Sequence, residues 1–337
     1  MNLLKLTAAA AAVIFAACVT SCKKNEKDGE KETEVILNGV YVAGAAYMTA
    51  DAKNVVATLW VDGTLQSLPG TAPYDSWVAE AVYVSGNDVY VAGRQVNPNN
   101  GNDVVPALWK NGAAQKLSSG GDAFSVFVTG NDVYVAGCVY YITGNRNRSA
   151  ILWKNGVAQS LPDGGSSSST SSVFVSGSDV YVTGYIEKIG TGSIHSYGPA
   201  VLWKNGVAKQ LSENSSSKAN SVFVSGSDVY VVGSDGGAVL WKNGIAQQLG
   251  TTGVANSVFV SDNIVYVAGT QEGKATLWKD GVAKQLGAGQ AMSVCVSGND
   301  VYVVGSESAA GGAMLWKNGV AKHLDGKSAT AYSVFAK

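Results

Sequence analysis

Catalysis and metal binding need acids, bases, nucleophiles or soft ligands held close together, and this chain offers few of them. Its two histidines, His195 and His323, are far apart in the sequence, with no Cys or carboxylate at metal-ligand spacing from either. The acids Asp75, Glu80, Glu187, Glu213, Glu272 and Glu307 stand singly, whereas a glycosidase needs two carboxyl groups about 5 to 9.5 Å apart. The serines at 166–169 read as low-complexity linker. No catalytic residue, metal or cofactor is therefore expected. What the chain offers instead is aromatic: Tyr47, Tyr74, Trp77, Tyr140, Tyr141, Tyr185 and Tyr197 stand outside any repeated pattern, with Arg94, Arg146 and Arg148 near them in sequence. Flat rings with polar edges suit sugar rings or the anchor points of a protein interface. The plainer reading of any one of these rings is that it packs a long loop onto a scaffold.

The scaffold is legible from what does repeat. The phrase LWKNG or a close variant recurs with its Trp at Trp60, Trp109, Trp153, Trp203, Trp241, Trp278 and Trp316, at intervals of 37 to 50 residues. A VYVAG-like segment precedes each copy, with its Tyr at Tyr41, Tyr90, Tyr134, Tyr181, Tyr230, Tyr266 and Tyr302. Each unit holds four runs rich in Val, Tyr, Phe, Trp and Leu, separated by Gly, Asn, Asp and Ser, which is strand and turn chemistry. In the unit at 221–249 the strands, here A to D, are expected at 221–225, 229–233, 238–242 and 245–249. Asn-Gly or Asp-Gly stands between C and D in every copy, the pair that best tolerates a type I′ hairpin. Seven such units predict an all-β, seven-bladed β-propeller of four-stranded antiparallel blades.

The chain ends in a lone strand A, Ser333 to Lys337, and its first unit lacks a full one, so the C-terminal strand is expected to complete blade 1. The run Val35, Ile36, Leu37 before Asn38-Gly39 is a competing partner for strand B. Seven equivalent Trp and Tyr positions cannot face one ligand, so they are read as structural. Asp88, Asp132, Asp179, Asp228 and Asp300 are read as turn residues.

In an antiparallel blade the A-to-B and C-to-D turns emerge on one face and the other connections on the opposite one. The first set is short and uniform. The second varies: B-to-C connections are expected as long loops in blades 1 to 4 (45–57, 94–106, 138–149, 185–199), and all six prolines fall on that face. Irregular loops on a regular scaffold commonly carry binding. A second variable set stands just before the Ser or Ala that opens strand A: Glu80, Phe124, Ser171, Asn220, Asn256, Met292 and Tyr332. With A innermost, this set rings the channel mouth on the loop-rich face, either encoding a ligand or tolerating any wet residue. The candidate binding residues are Tyr74, Trp77, Glu80, Arg94, Phe124, Tyr140, Tyr141, Tyr185, Tyr197, Asn220, Asn256 and Tyr332.

A short basic start and an apolar run from Leu6 to Ala17 read as a secretion signal, too short to span a bilayer in the mature protein. The run closes on Val19, Thr20, Ser21, Cys22, which resembles the lipobox of bacterial lipoproteins, with Cys22 the lipidated residue; a register ending at Cys18 is the rival. Residues 1–21 are thus expected to be a signal peptide, 22–34 a polar flexible tether and 35–337 the propeller. By the rule that motif implies, Lys23 after the Cys points to the outer membrane or cell surface. A formal charge of −1 and 15% charged residues give no basic field for nucleic acid. Cys138 and Cys295 fall four blades apart and are expected as buried free thiols, Cys295 in a slot held elsewhere by Phe127, Phe174, Phe223 and Phe259.

The segment Ala107, Leu108, Trp109, Lys110, Asn111, Gly112, with Leu117 downstream, resembles the HAF extracellular repeat family, whose units carry an A-x-L-W-x-N-G core and a later Leu-Gly, as at Leu249-Gly250 and Leu286-Gly287. The resemblance runs over nearly all of residues 40–337 and implies secretion and repeat architecture, without catalytic residues to carry over. SVFVSGNDVYVAG departs from that family's Ile-Asn and Gly-x-Val-Val-Gly pattern. The lipobox start and CKKNEKDGEKE tether look like those of Bacteroidetes surface lipoproteins. The expectation is a monomeric, membrane-anchored binding module for a glycan, with a scaffold for an envelope protein as the alternative and a polysaccharide hydrolase or lyase as the third reading.

Overall fold

The computed structural model describes residues 37–47, 55–70, 76–97, 100–141, 147–164, 166–187, 198–307, 312–324 and 328–337. They form seven antiparallel sheets of four strands each. Blade 1 is closed by the C-terminal strand, Ala329–Ala336, pairing with Val40–Tyr47. Leu37 lies outside any strand and packs against the core of that blade. Every C-to-D hairpin takes the predicted turn, with both central residues at positive φ, as at Asn111 (φ 50°) and Gly112 (φ 81°).

The repeated residues hold this ring together in three ways. First, the Trp of each blade packs against the preceding blade: Trp109 sits with Ala43, Ala57 and Leu59, and Trp203 with Tyr134, Ala136 and Leu152. Six of these seven rings are fully buried and Trp316 nearly so. Nε1 of Trp109 donates to the carbonyl of Pro69 at 2.6 Å and that of Trp203 to Pro162 at 2.8 Å, tying each to the preceding connection. Second, the Asp that opens strand B is more than a turn residue. In blade 2, Asp88 accepts from Nδ2 of Asn111 at 2.7 Å and pairs with Nζ of Lys110 at 2.8 Å, while Oδ1 of Asn111 accepts from the amide of Val89. Lys110 also lies over the Tyr90 ring, 5.2 Å from its centroid. The Lys-Asn of one hairpin thus clips onto the neighbouring turn, and the arrangement recurs at Asp132, Asp179, Asp228 and Asp300.

Third, strand A lines the axis. Tyr83, Phe127, Phe174, Phe223 and Phe259 touch in sequence, centroids 4.8 to 4.9 Å apart, and Phe335 meets Tyr83 at 5.1 Å. Cys295 occupies the remaining slot of this belt and is buried, as is Cys138 in blade 3; both are free thiols. Two residues earlier in five of these strands a Ser reaches sideways: Oγ of Ser125, Ser221, Ser257, Ser293 and Ser333 accept the amides of Val173, Val258, Val294, Val334 and Val82 in the next blade.

The innermost strands begin earlier than the sequence pattern predicts. In blade 5 strand A is Lys218–Ser225 and in blade 2 Ser76–Ser85, so segments expected as loop are paired sheet. The long B-to-C connections are likewise partly strand. In blade 2, Asp88–Asn97 and Asn100–Lys110 run as one extended arm in which Arg94 opposes Pro106, and in blade 3 Tyr141 opposes Asn147. The serine run is also not linker. Ser168 and Ser169 lie buried in strand Ser168–Ser176, and Oγ of Ser168 accepts from the amide of Ala150 while donating to Asp163.

Candidate site at the channel mouth

Seven irregularities of one kind shape the mouth. In each blade the A–B pairing shifts register at the same point: between Ala79 and Ala81, Ala123 and Ser125, Thr170 and Ser172, Ala219 and Ser221, Ala255 and Ser257, and Ala291 and Ser293, with the matching shift in blade 1 around Tyr332. The residue skipped is Glu80, Phe124, Ser171, Asn220, Asn256, Met292 or Tyr332. The variable residue of every blade is therefore the extra residue of a β-bulge, which leaves the ladder and re-aims its side chain. The Gly of VYVAG makes room for the bulge. A Cβ on Gly93, Gly137, Gly184, Gly233, Gly269 or Gly305 would drive into a carbonyl oxygen of strand A, and on Gly137 it would also lie 2.7 Å from Cζ3 of Trp153.

All seven bulge residues line one cavity of about 390 Å³, together with Arg148, Ser169, Thr170, Tyr185 and Lys218. Of the candidate residues, Glu80, Phe124, Tyr185, Asn220, Asn256 and Tyr332 are brought together here. Arg94 and Tyr140 stand behind the wall. Arg94 Nη1 lies 2.8 Å from Oε1 of Glu80 and 3.6 Å from Oδ1 of Asp122, whose other oxygen accepts the Tyr140 hydroxyl. Burial pushes the Glu80 carboxyl above its ordinary range against the pull of Arg94, with Asp122 adding to the rise. Trp77 does not line the cavity: it packs over Gly70 and the core between blades 1 and 2, its Nε1 buried. Tyr74, Tyr197, the side chain of Tyr141 and Cys22 lie outside the described residues.

Of the rest of the wall, Lys218 and Thr170 carry no signal in the sequence, Ser169 reads there as linker, and Arg148 is noted only as lying near the aromatic residues. Arg148 Nη1 donates to the Tyr185 hydroxyl at 3.5 Å, and the guanidinium lies 5.8 Å from the Tyr140 centroid. Lys218 Nζ lies over Tyr185, 5.7 Å from its centroid. Nδ2 of Asn220 donates to the carbonyl of Ala255 and that of Asn256 to Ala291, which leaves each Oδ1 as an acceptor. Oγ of Ser171 is buried without a partner. Lys218 opens a strand that the alternation pattern hides, because the bulge at Asn220 breaks the period two residues later. Among the described residues, no group of three His, Cys, Asp or Glu is placed to hold a metal ion.

Fold and site together define a seven-bladed β-propeller with a ligand-sized chamber at one mouth of its axis. No family model matches the chain, and no curated protein matches it. Among solved structures it is similar to an acylaminoacyl peptidase in complex with Z-Gly-Gly-Phe-chloromethyl ketone, with 13% identity, a TM-score of 0.51 and coverage of 86% of this chain and 50% of that one. It is also similar to the computationally designed Ika8 protein (18% identity, TM-score 0.49, 90% and 89% covered) and to a putative 6-phosphogluconolactonase from Bacteroides fragilis (10%, 0.43, 88% and 97%). The chain spans about half the length of the peptidase, and the likeness is one of fold alone.

Proposed function

We propose that this propeller is a non-catalytic binding module of the bacterial cell envelope that takes a glycan in the chamber at its channel mouth. One observation carries the reading: a residue that changes from blade to blade, at the same point of strand A, is each time lifted out of the ladder and delivered to the same cavity. A chamber of about 390 Å³ falls in the range of small-ligand sites, about 300 to 1,000 Å³. Hydroxyl, amide and aromatic groups line it, the mixture that meets sugar hydroxyls and ring faces. Turnover is not part of the proposal. Glu80 and Asp122 share Nη1 of Arg94, so the guanidinium occupies the space where an acid–nucleophile pair would need its substrate.

Anchoring through a lipidated Cys22, an outer-membrane or surface location and a monomeric state belong to the same proposal. They rest on the lipobox-like VTSC, on Lys23 and on the polar tether. Kinship with HAF repeats rests on the A-x-L-W-x-N-G residues alone. A screen of the full chain against neutral and acidic glycans tests the function. Binding that is lost in Phe124→Ala and Asn220→Ala supports it, and binding that survives both variants unchanged places the ligand elsewhere. Metabolic labelling with palmitate, abolished by Cys22→Ser, tests the anchor.

A further inference from the structure

The charges around the chamber are unevenly matched. On the arc formed by blades 2 and 3, Arg94 sits against two carboxylates, Glu80 and Asp122. On the next arc, Arg148 and Lys218 flank Tyr185 from two sides, one at its hydroxyl and one over its ring. Neither is in ion-pair contact with a carboxylate among the described residues, and Glu187 acts on Arg148 only as the last of the charges that raise its pKa, after burial has lowered it and Tyr185, Cys138 and Tyr140 have raised it. Lys218 is held below its usual range by burial and then by the field of Arg148. Two half-buried cations in each other's field and without an anion between them are an unfavourable arrangement, which a bound anion would relieve.

We propose that the chamber recognises a carboxylated sugar of the uronic-acid type, its carboxylate held between Arg148 and Lys218 and its hydroxyls met by Asn220 and Asn256. The proposal rests on the mouth-binding reading above and narrows it to an acidic ligand. With each Nδ2 engaged by a backbone carbonyl, the Oδ1 atoms of Asn220 and Asn256 remain as acceptors for sugar O–H groups. Phe124, Met292 and Tyr332 also line the chamber and supply apolar area for a pyranose face. A neutral sugar would leave the two cations uncompensated; inorganic phosphate would satisfy them and leave the amide and aromatic wall unused.

Calorimetric titration of the full chain with trigalacturonate, galactotriose and inorganic phosphate, at low and high salt, separates these cases. Trigalacturonate is expected to bind, to weaken as salt rises, and to exceed galactotriose by at least tenfold. Arg148→Gln and Lys218→Met should each weaken it about tenfold or more, which is about 1.4 kcal/mol. Lys218→Met keeps an aliphatic stem on Tyr185 and tests charge alone, while the exposed Lys209→Gln should change nothing. Equal affinity for galactotriose, or full affinity in Lys218→Met, overturns the acidic ligand and leaves the mouth site standing. Phosphate binding as tightly as trigalacturonate overturns the sugar. Trigalacturonate binding that ignores Phe124→Ala, Asn220→Ala, Arg148→Gln and Lys218→Met overturns both readings, and no binding of any of the three probes overturns this one alone.

Discussion

Replacing Gly137 by Ala should destabilise the protein far more than replacing Gly130 by Ala, although both lie in blade 3 and only seven residues apart. A Cβ on Gly137 would lie 2.7 Å from Cζ3 of Trp153, 3.0 Å from Cα of Ala123, and closer still to the carbonyl oxygen of Asp122. Carbon atoms prefer about 3.5 to 4.0 Å, so strands A and B would have to part at the Ala123–Gly137 pair, next to the bulge that presents Phe124. Overpacking costs about 1 to 3 kcal/mol and one weakened buried backbone hydrogen bond about 1 more. The expected loss is about 2 to 4 kcal/mol on that basis. Gly130, by contrast, has φ of 56° with nothing within 4 Å of its missing Cβ. Ala there meets only the left-handed backbone penalty, about 1 to 2 kcal/mol. The gain from restricting the unfolded chain is common to both substitutions and cancels in the comparison. Urea unfolding followed by tryptophan fluorescence gives the two midpoints. If Gly137→Ala unfolds at the same urea concentration as Gly130→Ala or above it, the account of the bulge as a steric partner of the VYVAG glycine is wrong.

Trp109→Phe should cost about 1 kcal/mol more than Trp153→Phe, because Trp109 loses its bond to Pro69 whereas Nε1 of Trp153 is buried without a partner; the same urea midpoints check it. The carboxyls of Asp88, Asp132, Asp179 and Asp228 are held below their ordinary range by bonds first from Lys and then from Asn. A folded pKa below the unfolded one stabilises above the unfolded value, about 3.9, and that stability is lost as pH falls through the lower folded value. The melting temperature should therefore decline below about pH 4, with a shallower decline in Lys154→Gln; an unchanged decline in that variant would remove the clips from the explanation. Burial pushes the thiols of Cys138 and Cys295 up to about 12, so iodoacetamide at pH 8 should label neither in the native chain and both after unfolding, as peptide mass mapping would report.

Blade number, hairpin turns and ring closure were legible because each is a local signal repeated. The Trp of LWKNG, the Asn-Gly pair and an unmatched strand at the C-terminus each state one geometric fact, and the structure places all three as expected. The bulges were not legible as bulges. Strand A of blade 5 has the burial pattern of two half-buried residues in succession, Asn220 and Ser221, between buried Ala219 and Val222. That stutter breaks the period of two and makes the strand look as if it starts at Ser221, so the variable residue reads as the end of a loop. A sequence signal did exist: an Ala two positions before the opening Ser or Ala, at Ala79, Ala123, Ala219, Ala255, Ala291 and Ala331, all fully buried. Arg148 and Lys218 could not be paired from sequence, since they come from different blades and meet only through Tyr185.

The bulge explains how one scaffold keeps seven blades nearly identical while its mouth stays heterogeneous. From the bulge onward, the ladder residues of strand A are constrained by their neighbours: the valines fill the inter-blade core, the phenylalanines form the axial belt, and the serines bond to the next blade. A changed side chain at any of these positions disturbs a neighbour. The skipped residue has no opposite number on strand B, so its side chain lies at the chamber, where its only ties are local ones such as Glu80 to Arg94 and Asn220 to the carbonyl of Ala255. Glu, Phe, Ser, Asn, Met and Tyr can follow one another around the ring at that position without altering the pairing on either side. Stability is thus set by the repeated residues, whereas the proposed recognition falls to the unpaired ones with Arg148 and Lys218 beside them, and Asn220→Ala should weaken the proposed binding far more than it lowers stability.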